Sequence, residues 1–213
     1  NTLTHEFGHA LQGYLTRNFK ISDYRSPTLE ACEIHSTSME LFTYPWMDLF
    51  FGEDVEKYRY QNLKDELCFI PYGTVIDEFQ HFVYEHPEIS HEERCQAYKR
   101  IEEKYLPHKK YDDCEIYSRG RFWLKQGHVF STPFYYIDYT LAHLCAFQFF
   151  TLDLKNHEKA WNKYLRFSKM GGKYGFRELL AKAHLLNPLD QGNIKKIIKP
   201  IENYLDEFKL PNE

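Results

Sequence analysis

Between its glycines and prolines the chain leaves long uninterrupted stretches in which apolar residues recur at intervals of three and four. That spacing follows the 3.6-residue turn of a helix and not the alternation of a strand, so an all-α, multi-helix fold is expected. The first helix is predicted over 2–16, where Leu3, Phe7, Ala10, Leu11 and Tyr14 share one broad side. A second starts after Ser26-Pro27, a capping residue with proline at the first helical position, and runs to about Thr43 before Pro45. Further helices are expected at 53–69, at 72–85 after a break at Pro71, and at 91–105 with Glu92, Glu93, Glu102 and Glu103 on solvated faces. Residues 107–118 read as irregular. An aromatic-rich stretch, 133–155, leaves little polar surface and reads as a buried core helix. Helices at 157–169, 175–186 and 192–208 close the chain, the last kinked or split by Pro200.

Composition narrows the class. At 213 residues, with 43% hydrophobic and 17% aromatic residues, the chain can bury a core and is not disordered; one helical domain over 1–213 is expected. A formal net charge of −4 offers no cationic excess for a phosphate backbone, which argues against a nucleic-acid partner. Apolar runs such as Leu141 to Phe150 are interrupted by His143 and Gln148 and fall short of the ~20 residues that cross a bilayer, so no membrane span is expected. The five cysteines form no C-x-x-C pair, which fits reduced thiols and a cytoplasmic location. The opening Asn1-Thr2-Leu3-Thr4 has neither Met nor the pattern of a signal peptide, and the chain reads as a piece of a longer one.

Chemistry concentrates in His5-Glu6-Phe7-Gly8-His9, an H-E-x-x-H string inside the first helix. Four residues of helix bring the two imidazoles within ~40° of each other on one face, so both can hold one ion. Glu6 between them is placed to take a proton from a water that such an ion acidifies. A catalytic zinc takes three protein ligands, and the second helix offers Glu30, Glu33 and Glu40. Glu33 and Glu40 lie seven residues apart on one face; Glu33, beside small and apolar neighbours, suits a ligand and Glu40 a supporting acceptor. Cys32 reads as a small core residue.

His5-Glu-Phe-Gly-His9-Ala10, followed by Glu33 and then Met39-Glu40-Leu41, resembles the thimet oligopeptidase and oligoendopeptidase F family of zinc metallopeptidases. The resemblance implies one zinc per chain on His5, His9 and Glu33, with Glu6 as general base in the hydrolysis of short peptides. Gln126-Gly127-His128-Val129-Phe130 and Pro133-Phe134-Tyr135-Tyr136-Ile137-Asp138-Tyr139 are similar to the family's downstream histidine and tyrosine segment. Attack on a peptide creates an oxyanion that Tyr O–H and His N–H groups can stabilise. Tyr135 and Tyr139, or Tyr136 and Tyr139, are spaced to share a helix face; His128, Tyr136 and Tyr139 are the favoured set. The family's chains are much longer and close around a channel, so the resemblance implies the C-terminal catalytic part, with the N-terminal part of the same polypeptide as its partner.

Two other classes compete. A di-iron carboxylate bundle uses E-x-x-H pairs, and Glu6 to His9 and Glu88 to His91 both fit, although the second follows Pro87 at a turn. A non-catalytic helical interaction module is the other.

Overall fold

The computed structural model describes residues 1–208, and every α-helix or 3₁₀ turn in them is joined by loops, with no strand among the described residues. The helices are α1 (Thr2–Thr16), α2 (Leu29–Phe42), α3 (Asp48–Phe51), α4 (Val55–Glu85), α5 (His91–Tyr105) and α6 (Glu115–Ser118). They continue with α7 (His128–Ser131), α8 (Tyr136–Asp153), α9 (His157–Ser168), α10 (Phe176–Lys182) and α11 (Asn193–Asp206). The all-α expectation holds. The last residues of the helix expected at 192–208 lie beyond α11, which ends at Asp206 and is not split at Pro200.

Two compact units emerge, each with its own core. The first comprises residues 1–67 with those from 141 on. Its core packs Ala31, Ile34 and Phe42 of α2 against Phe149 of α8 and Tyr164 and Phe167 of α9. A fully buried aromatic of this kind contributes about 1.5–3 kcal/mol relative to leaving it in water. Ten of the fourteen α2 residues are buried, polar Glu33, His35, Ser36, Thr37 and Ser38 among them, so this helix has no solvated face to lose. The second unit, residues 68–140, centres on Val75, Ile76 and Phe79 of α4, Tyr98 of α5 and Trp123.

Three sequence expectations are corrected. Helix α4 runs unbroken through Pro71, where two helices were expected. An interior proline costs a helix about 3 kcal/mol or more, and the side chains flanking it offset that: Leu63, Val75, Ile76 and Phe79 are all essentially inaccessible. Glu102 is not on a solvated face. It is buried, with Oε1 accepting from Tyr98 and Tyr111 hydroxyls at 3.1 and 2.7 Å and from Lys109 Nζ at 3.0 Å. The aromatic stretch starts its helix at Tyr136, not at 133, because Phe134 adopts a left-handed φ of 64°. By contrast α5 begins and ends as read, fixed by a capping box in which Ser90 and Glu93 satisfy each other's backbone N–H.

Candidate functional site

Helices α1 and α2 are neighbours in sequence and pack against one another in the first unit. They meet at Gly8. A Cβ there would stand 2.6 Å from the His35 carbonyl oxygen and 2.7 Å from the Ser36 Cα, so the two backbones approach as only glycine allows. Helix α9 braces α2 from behind: the Tyr164 hydroxyl donates to the His35 carbonyl at 3.0 Å, and Ser168 Oγ lies 3.1 Å from His35 Nδ1. Burial pushes His35 down to about 3, so this ring is neutral and structural.

The close approach sets α1's polar face against Glu33. Nε2 of His5 and Nε2 of His9 each lie 3.3 Å from the same oxygen, Glu33 Oε2. Donor atoms of the three residues fall within 4.8 Å of one another. Ligands 2.0–2.2 Å from a tetrahedral ion are roughly 3.4 Å apart, so the spacing of this His-His-carboxylate set fits a zinc-sized cation. Among the described residues it is the one such group. Glu88 and His91 do not join it; they belong to the second unit.

The other ring nitrogens are held as well. Glu40 Oε1 accepts from His5 Nδ1 at 2.8 Å, which leaves Nε2 as the nitrogen with the open lone pair in the neutral ring. Cys32, expected as a small core residue, is instead only partly buried, with Sγ 3.9 Å from His9 Nδ1. Ser36 Oγ sits 2.9 Å from Glu33 Oε2 and fixes that carboxylate. Without a cation, these acceptors favour protonated imidazoles. Glu33 and then Glu40 push His5 up to about 9; Cys32 and Glu33 push His9 up to about 10. Glu6 follows His5 on α1 and is exposed to solvent, free of the packing that holds the ligands.

His128, Tyr136 and Tyr139 lie in the second unit and gather there. The His128 ring centroid is 5.1 Å from that of Tyr136 and 5.7 Å from that of Tyr139, and Tyr135 stands 5.1 Å from Tyr139. A relay orients the histidine: the Tyr72 hydroxyl donates to Gln126 Oε1 at 3.1 Å, and Gln126 Nε2 donates to His128 Nδ1 at 2.7 Å. That arrangement leaves the His128 proton on Nε2, where it can be donated. Burial raises the Tyr136 hydroxyl well above its ordinary value, keeping it a donor at any physiological pH. Gln126 stands two residues before His128 in the string Gln126-Gly127-His128, and that spacing is the sequence signal for its role.

With the geometry in hand, likeness to known proteins sharpens the chemistry. A model of peptidase family M3 matches residues 1–197. Oligopeptidase PepF of Bacillus subtilis (strain 168) is 26% identical over 226 residues, covering 98% of this chain and 31% of that protein. The solved structure of PZ peptidase A with inhibitor 2 is 52% identical, with a TM-score of 0.92, over 96% of this chain and 36% of that one. The chain thus spans about a third of the length of these relatives.

Proposed function

The chain belongs to peptidase family M3, and from that premise we propose that it carries the metal centre of a zinc-dependent oligopeptidase acting on short peptides. The convergence of His5 Nε2 and His9 Nε2 on one Glu33 oxygen, at 3.3 Å each, is the observation that carries this reading. His5, His9 and Glu33 would hold one zinc ion. When bound, zinc supplies a Lewis acid that acidifies water and polarises the scissile carbonyl. Glu40 and Cys32 hold the rings of His5 and His9 in register through their Nδ1 atoms. Glu6 takes the proton of the attacking water and delivers it to the leaving amine. His128 Nε2–H and the hydroxyls of Tyr136 and Tyr139 are the donors we assign to the oxyanion. Short peptides are the proposed substrates, and the rest of the polypeptide, about two thirds of a relative's length, is the proposed partner that completes the cleft. Five unpaired thiols support a reducing, cytoplasmic setting.

The test uses the intact polypeptide. Metal analysis is expected to find one zinc, and a chelator is expected to abolish cleavage of a quenched short peptide, with zinc restoring it. Glu6→Gln should keep the zinc and lose turnover, because an amide cannot accept the proton. Normal cleavage by metal-stripped protein, or by a fully loaded Glu6→Gln variant, sinks the corresponding part of the reading.

A further inference from the structure

The second unit contains a cavity of about 140 Å³ that peptide hydrolysis, as assigned above, leaves unused. Phe79, Val83 and Val129 supply its apolar wall. Three further lining side chains each carry a buried nitrogen with no hydrogen-bond partner among the described residues: Gln80 Nε2, Arg94 Nε and Trp123 Nε1. All three are donors. The Gln80 amide is oriented by its other end, since Oε1 accepts the Phe134 N–H at 3.1 Å, so the NH₂ group is the unpartnered one. Arg94 is tethered through Nη2 to the Pro87 carbonyl at 3.0 Å. Among the described residues no carboxylate lines the cavity, and Gln80 and Trp123 are only 1% and 6% exposed.

Buried donors are costly unless something accepts from them. Several waters could fill this volume, yet one bound group that accepts from all three donors immobilises fewer molecules. A carboxylate offers about four acceptor positions on two oxygens, and its charge matches the guanidinium. The remaining space suits an apolar body: a protein cavity of about 150 Å³ lined by apolar side chains admits benzene. Of the lining residues Tyr84 and Phe130 are exposed, and Phe130 stacks on Trp123 with centroids 5.6 Å apart, so the cavity reaches solvent beside aromatic side chains. We propose that this cavity binds a small carboxylate with an aromatic or branched apolar body, its oxygens on Gln80, Arg94 and Trp123. That chemistry is shared by a free aryl or branched acid and by the C-terminal residue of a peptide.

Binding is read without turnover, so the outcome is separable from the fate of the peptidase reading. In the intact polypeptide, phenylacetate is titrated while the Trp123 indole N–H is followed by ¹H–¹⁵N spectroscopy, the signal being assigned by its loss in Trp123→Phe. A saturable downfield shift is expected with phenylacetate and none with toluene. A short peptide ending in Phe reproduces the shift, and its C-terminal amide does not, if peptide ends are the source; phenylacetate alone shifting the signal assigns the free acid. Trp123→Phe keeps an aromatic ring, smaller than the indole, and drops the N–H; Gln80→Glu keeps the acceptor for Phe134 and repels a carboxylate. Each is expected to weaken phenylacetate about tenfold by equilibrium dialysis, in protein whose cooperative thermal transition shows it to be folded. Should one variant fail to fold, the other carries the comparison. No saturable shift, an equal response to toluene, or unchanged affinity in a folded variant overturns the proposal.

Discussion

At the residue scale the proposed metal centre is a competition between protons and a cation for the same two lone pairs. His5 at about 9 and His9 at about 10 both lie above their ordinary 6.5, so at pH 7.5 the metal-free rings are cationic. Zinc binding at that pH is therefore expected to release close to two protons, measured by calorimetry in buffers of differing ionisation enthalpy. Release should fall and apparent affinity rise as pH climbs through 9 and 10. The sign for the metal-free fold is the reverse. Raised histidine pKa values stabilise it fully below about 6.5 and lose that contribution as pH rises through about 9 and 10, visible as a Tm that falls over that window. Glu40→Gln, which weakens the hold on His5 Nδ1, should cost about 10–100-fold in zinc affinity by competition with a chromophoric chelator. The nearness of His5 to His9 was legible because a four-residue spacing has one meaning on a helix, whereas the part proposed for Glu6 rests on its place between them. Cys32 beside His9 was not, since which face of α2 meets α1 follows from packing and not from the periodicity of an almost wholly buried helix.

At the scale of elements, the interval between α1 and α2 sets the ligand distances, and Gly8 sets the interval. Gly8→Ala gains helix propensity of about 1 kcal/mol but drives a methyl into backbone atoms at 2.6 and 2.7 Å, which cannot rotate aside. The helices must separate, and the 3.3 Å donor spacing must open with them. The expected result is zinc affinity weakened at least tenfold, read by the same chelator competition, with helical circular dichroism retained; wild-type affinity in Gly8→Ala would remove the glycine from this role. A glycine inside an otherwise strong helix was the available signal. Pro71 shows the opposite error, because local chemistry predicted a break that burial of Val75, Ile76 and Phe79 overrides. Where local signals and packing agreed, as at Ser90 and Glu93 capping α5, the boundary was readable, and Ser90→Ala is expected to lower stability by about 1 kcal/mol in chemical denaturation.

For the molecule as a whole, the helical class was legible because period and composition pointed the same way, while Glu102 was misplaced because a burial partner such as Tyr111 arrives from a loop the sequence left irregular. If His5, His9 and Glu33 hold zinc as proposed, removing it should destabilise the fold beyond the site itself. With the ion at 100 times its Kd, its binding adds about 2.7 kcal/mol, so chelation should lower Tm in a scan, and Glu33→Ala should abolish that difference. The bonds that hold the ligands are also short in sequence: His5 and the Glu40 that orients it are 35 positions apart, within two consecutive helices. His35 instead waits for Ser168, 133 positions on. Loop-closure entropy grows with such separations, and local contacts form early. Assembly of the centre is thus a matter of order in time: α1 and α2 can be clasped by a cation before the distant helices that later brace them have docked, and zinc present during refolding should hasten the first step and leave the last unchanged.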